Sequence, residues 1–323
     1  MASSISKAAP KGSGNACVTD FAWKPQTTLR HAIGASGVGL HTGVRSTIRL
    51  KPAAADTGVV FVRTDTSDPV TIPATLPHVV DTRFATSVGR EGVQVSTIEH
   101  LMSALSGIGV DNVIVEIDSA EVPIMDGSAA PYVFLLQSAG IAELDVPRKY
   151  LRVRQSLEYC EAGAKVTLQP DDAPRFQYTL NYDHPYFAPT PERQVEYVID
   201  DSTFVSEISR ARTFGFAQEM TEMRKHNLAL GGSLKNAILV DEDHLVNEEG
   251  LRLEEEFAVH KLLDAIGDLY LLGCPLLGRF SGYKSGHTLN RSVLELMLRD
   301  PSNYDYVYRC SETGAVQAIT EAC

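Results

Sequence analysis

Two polar residues inside a hydrophobic segment are the first sign of chemistry in this chain. His260 and Asp264 stand four residues apart within 257–272, where a helix would project both from one face, with Asp268 a turn further along the same stripe. Their neighbours Phe257, Leu262, Leu263, Ile266, Leu269 and Leu272 are apolar enough to bury most of that helix, and the stripe with it. A buried charge needs a partner or a metal. Imidazole and carboxylate at this spacing can share one zinc ion, and the same spacing also serves a plain His–Asp hydrogen bond.

A second element places Glu99 directly before His100. A catalytic zinc needs three protein ligands, an open position for water and a base beside that water; His100, His260 and Asp264 with Glu99 make up such a set. The segment 96–99, Ser-Thr-Ile-Glu, also reads as a capping box, in which Glu99 closes a helix start and His100 is a satisfied, partly buried histidine. In the glycine-punctuated loop 282–288, His287 can titrate near neutrality and protonate a leaving group, or can simply be exposed. Around Thr213 a hydroxyl stands among aromatic rings, a pattern shared by active sites and ordinary cores. The glycines from Gly34 to Gly43 form neither G-x-G-x-x-G nor a P-loop and read as turns, which weakens a phosphate-binding reading, and no H-E-x-x-H helix supports a peptidase.

Residues this far apart need a fold to gather them. Alternating segments at 47–51, 59–63 and 113–117 predict strands with one buried face. A short helix is expected from Ser96 to about Gly107, another over 131–140, and a long one over 254–272. Strands at 151–155, 176–183 and 195–199 and a helix near 203–210 give the second part the same style without a residue-level repeat. The expected architecture is α+β: a flexible extension 1–22, one domain at 23–148, a second at 149–310, and a tail at 311–323.

Composition narrows the partners. A chain of 323 residues with 44% hydrophobic and 22% charged residues is an ordinary globular protein, and a net charge of -12 argues against nucleic acid, whose phosphates need clustered Lys and Arg. Five scattered cysteines form no C-x-x-C pair and suit a reducing compartment. The N-terminal residues lack the apolar core of a secretory signal. The longest apolar run carries His260, Lys261, Asp264 and Asp268, so no membrane span is expected.

Six segments taken together carry a family resemblance: GVGLHTG at 37–43, TIEHL at 97–101, PIMDGSA at 123–129, SRARTFGF at 209–216, HKLLDAIGDLY at 260–270 and GYKSGHTLN at 282–290. In order and spacing they resemble the UDP-3-O-acyl-N-acetylglucosamine deacetylases of the lipid A pathway, over about residues 28–308. The resemblance implies two similar two-layer sandwich domains with the active site at their interface. It implies a cytoplasmic, monomeric enzyme that removes the N-acetyl group from a UDP-linked, 3-O-acylated glucosamine, the committed step towards lipid A. Zinc would be held by His100, His260 and Asp264, although iron(II) also suits two histidines and a carboxylate. Glu99 would be the general base and His287 the general acid, oriented by Asp268, or Glu99 would serve both steps. Thr213 would stabilise the oxyanion, and Lys261 and Lys284 would lie near the sugar and diphosphate, Lys261 within reach of the chemistry. Tyr182 would contact uracil where the family often has Phe. Phe214, Gly286 and His41 would join the substrate contacts, and an insert at about 215–244, with Met220 and Gly232, would receive the acyl chain. The residues Arg83-Phe84-Ala85 depart from the family's smaller side chains there. A non-catalytic sugar-nucleotide binder would keep the fold but not this full set of residues.

Overall fold

A computed structural model describes residues 23–188, 190 and 192–319, so the extension expected at 1–22 and the last residues of the expected tail lie outside the described residues. Two halves of the chain follow one strand scheme. In the first, the hairpins Ile33–Val38 with Arg45–Pro52 and Val59–Arg63 with Val70–Pro73 are joined by Val113–Ile117, which pairs antiparallel to the first hairpin and parallel to the second. In the second, Leu276–Tyr283 joins Leu157–Glu161 with Ala164–Gln169 and Pro174–Asn181 with Glu192–Val198 in the same manner. The repeat is therefore one of topology, which can persist where residue identity does not.

In each half one helix precedes the central strand, Glu99–Ile108 or Glu256–Leu269, and another follows it, Ala130–Ala139 or His287–Leu298. The helices cover one face of their sheet, which leaves the other face wet and explains alternation such as buried Ser46, Ile48 and Leu50 between exposed neighbours. Across the junction the Glu99 and His260 helices pack directly on each other. Gly267 makes that crossing possible, because a Cβ there would stand 2.1 Å from the Glu99 carbonyl oxygen.

The capping box expected at Ser96 does not form. Thr97 takes φ 57° and Ile98 becomes the cap without a side-chain bond, the Ser96 hydroxyl accepts from that of Ser87, and the Glu99 carboxylate receives the Thr86 N–H at 3.0 Å. The helix runs on to Ile108 and ends at left-handed Gly109 rather than at Gly107. Residues beyond 311 are not simply a tail, since Val316–Ala318 adds antiparallel to Tyr304–Arg309, which itself pairs with Lys149–Val153. Within the 215–244 region, Phe214–Phe216 and Ile238–Asp241 pair in parallel around the helix Ala217–Lys225. Among the described residues no helix is long and apolar enough to cross a membrane.

Candidate metal centre and its cavity

His260 and Asp264 lie on one face of the buried helix Glu256–Leu269, and the Glu99 helix, crossing it at Gly267, brings His100 alongside. The three are 2–4% exposed, and one ligand atom of each lies within 4.8 Å of the others. His260 Nδ1 is 3.0 Å from the Ala211 carbonyl oxygen, which can only accept, so Nδ1 carries the hydrogen and Nε2 presents its lone pair. That lone pair faces Asp264 Oδ1 at 3.4 Å, and His100 Nε2 stands 3.5 Å from the same oxygen. Oδ1 is buried with no hydrogen-bond partner among the described residues.

Burial pushes His260 down to about 3 against the pull of Asp264, so the ring is neutral. Burial alone would raise Asp264, but the Lys261 ammonium, whose Nζ donates to Oδ2 at 2.7 Å, holds it well below the usual carboxylate range. A neutral imidazole lone pair and an ionised oxygen therefore face each other without a proton to share, a repulsive contact that a cation relieves. Ligand atoms about 2.0–2.2 Å from one tetrahedral ion stand about 3.3–3.6 Å apart, and both histidine nitrogens stand in that range from Asp264 Oδ1. The residues fit a divalent metal.

Beside this triad stand Glu99 and His287, their side chains 4.0 Å apart at Oε1 and Nε2. Burial raises the Glu99 carboxyl, only partly offset by His287 and His100. Burial would lower His287, but Asp268 outweighs it: Nδ1 meets Asp268 Oδ2 at 2.8 Å, and the ring is raised to about 9. Asp268 is itself fixed by the Asn290 side-chain amide at 2.8 Å and the Thr86 hydroxyl at 2.6 Å. A carboxyl raised by burial and an imidazole kept charged by Asp268 therefore stand side by side at the triad.

These groups end a cavity of about 460 Å³. Of the residues singled out in the sequence, His41, Tyr182, Thr213, Phe214, Met220, Gly232 and Lys261 line it together with Glu99, His100, His260, Asp264 and His287. Phe214 sets its ring edge-on to His260 at 6.2 Å and to Tyr182 at 6.0 Å. Lys284 and Gly286 are not brought into this lining: the loop turns at Lys284, φ 53°, whose exposed side chain lies over the Tyr283 ring, and Gly286 caps the His287 helix. The apolar wall includes Leu40, Phe84, Met223, Ala237 and Leu239, with the half-exposed Phe84 at its rim beside His41.

Sequence reasoning missed Thr86, Asn290 and the Ala211 carbonyl. Asn290 was within reach, being one helical turn from His287 and so on the same face; Thr86 and Ala211 act through contacts that leave no local pattern.

Comparison with known proteins shows the family of this chain. A family model for UDP-3-O-acyl N-acetylglycosamine deacetylase (LpxC) matches residues 26–299. A protein of Nitrosococcus oceani named UDP-3-O-acyl-N-acetylglucosamine deacetylase is 48% identical over 90% of this chain and 95% of its own length. Proteins of the same name from Hahella chejuensis and Pseudomonas entomophila are 49% and 48% identical, covering 87% and 88% of this chain and 93% of each of theirs. Matched over most of its length by that model, this chain is an enzyme of the UDP-3-O-acyl N-acetylglycosamine deacetylase family.

Proposed function

We propose that this protein hydrolyses the N-acetyl amide of a UDP-linked, 3-O-acylated N-acetylglucosamine, releasing acetate and the free amine on the route to lipid A. The observation that carries this reading is one buried cluster: His100, His260 and Asp264 converge, Glu99 and His287 flank them, and an apolar cavity opens from them. His100, His260 and Asp264 would hold the ion, zinc by ligand type, with iron(II) compatible. Such an ion supplies Lewis acidity, which brings water within reach of ionisation near neutral pH and polarises a carbonyl.

The residues divide the remaining work. Glu99, raised by burial, takes a proton from the attacking water as the new C–O bond forms. Thr213, at the cavity wall, offers its hydroxyl to the carbonyl oxygen as charge gathers there. An amine leaves poorly unless protonated, and His287, kept charged by Asp268, donates that proton as the C–N bond breaks. Lys261 fixes Asp264 and carries positive charge to the sugar side of the cavity. Tyr182 and Phe214 provide ring surfaces for the nucleotide end, and the wall from Met220 to Gly232 provides apolar surface for an acyl chain.

The test is incubation of the purified protein with the 3-O-acylated UDP-N-acetylglucosamine, with its deacylated counterpart and with an N-acetylated peptide panel, measuring acetate. Release from the acylated sugar nucleotide alone is expected. Equal release from peptides, or none from the sugar, would overturn the reading.

A further inference from the structure

Glu121 is a buried carboxylate, 1% exposed, that meets no Lys or Arg among the described residues. It is solvated instead by four donors. Oε1 accepts the His41 backbone N–H at 2.8 Å and the Thr97 hydroxyl at 2.9 Å; Oε2 accepts the Thr42 N–H at 2.8 Å and the Thr42 hydroxyl at 2.6 Å. These donors come from two separate stretches of the cavity's frame.

The first is the loop that carries His41. Its approach to Glu121 is so close that a Cβ on Gly39 would stand 2.2 Å from Oε2. The loop in turn holds the apolar wall: the Leu230 N–H donates to the His41 carbonyl and the Gly231 N–H to the Leu40 carbonyl, both at 3.0 Å. A Cβ on Gly231 would lie 2.1 Å from the Gly39 carbonyl oxygen, so wall and loop touch backbone to backbone. The second stretch is Thr97, a β-branched residue at φ 57°, a conformation such residues rarely adopt without outside support. It lies two residues before Glu99 and fixes where that helix begins.

We propose that Glu121 is a positioning residue for the deacetylation. Through its four hydrogen bonds it sets His41 and the 229–232 wall in register with the Glu99–His100 helix, without touching substrate itself. A carboxylate suits this place because every neighbour is a donor, and an amide would turn an N–H₂ towards at least one of them. His41 is the group through which the effect reaches substrate: both ring nitrogens are buried without partners among the described residues, and the ring lines the cavity.

This inference rests on the proposed deacetylation, and a double-mutant cycle tests it. Glu121→Gln is expected to lower kcat/KM on the acylated sugar nucleotide by on the order of tenfold or more. In a His41→Gln background the same change is expected to cost less than about twofold, because the group it positions is gone. The metal content should stay that of the wild type. An equal penalty in both backgrounds, or none in either, overturns the proposal, since a residue that only stabilises the fold acts independently of His41. Should Glu121→Gln fail to fold, Thr42→Val removes one of the four bonds from a largely exposed loop and enters the same cycle. Wild-type protein that releases no acetate at all would instead sink the deacetylase reading.

Discussion

The proton inventory at Glu99 and His287 makes the sharpest demands at the scale of single residues. Glu99→Gln keeps the volume and leaves His100, His260 and Asp264 untouched, so metal content is expected to hold while kcat falls about 10²–10⁴-fold. Loss of metal together with activity would mean that Glu99 belongs to the ligand set. For His287 the pH profile is more telling than the rate. Asp268 raises the ring to about 9, above its ordinary 6.5, so the stabilising charge pair is complete below about pH 6.5 and is lost as pH climbs through about 9. Activity that needs the protonated ring should fall over the same upper range. His287→Gln is expected to lower kcat and abolish that basic limb; a variant that keeps the limb would assign it to another group.

Among elements, the crossing of the Glu99 and His260 helices decides whether the ligands meet. Gly267→Ala puts a Cβ 2.1 Å from the Glu99 carbonyl oxygen, and the helices must part by a fraction of an ångström or more. The expected result is a loss of about 1–3 kcal/mol in stability and weaker metal retention against a competing chelator. Unchanged retention would show that the triad tolerates movement of its frame. This crossing also marks what the sequence could disclose. The polar stripe His260–Asp264–Asp268 in an apolar run and the adjacent Glu99-His100 were legible because each is local, and helical periodicity converts such spacing into geometry. The strands at 59–63 and 113–117 were legible for the same reason, matching Val59–Arg63 and Val113–Ile117. The capping box failed because a positive φ at Thr97, which a β-branched residue does not advertise, is held by the distant Glu121. The family resemblance implied that the halves are alike, but no local pattern gave their strand order: pairing depends on contacts more than a hundred residues apart, such as Ala164–Gln169 against Leu276–Tyr283.

For the molecule as a whole, the candidate metal centre is a clasp. His100 comes from the first half and His260 and Asp264 from the second, so an ion bound to all three links the halves through a few short bonds. Ligand that binds only the folded state stabilises it by RT ln(1 + [L]/Kd), about 4 kcal/mol when the free ion is a thousandfold above Kd. For a chain of this size, roughly 2 °C of Tm accompanies each kcal/mol, so removing the ion should lower Tm by several degrees. Both sheets feed one continuous apolar core that needs no ion, with Ile48, Phe61 and Val115 from the first and Val166, Phe176 and Phe280 from the second. Chelation at room temperature should therefore abolish acetate release while leaving the far-ultraviolet circular dichroism unchanged, and zinc or iron(II) should restore both activity and Tm. The His100→Ala variant separates the clasp from a ligand bound within one half. Its Tm should no longer respond to zinc, whereas that of Glu99→Gln should respond as the wild type does. If His100→Ala keeps the full zinc-dependent shift, the ion is held without the first half, and the junction must be aligned by side-chain packing rather than by metal.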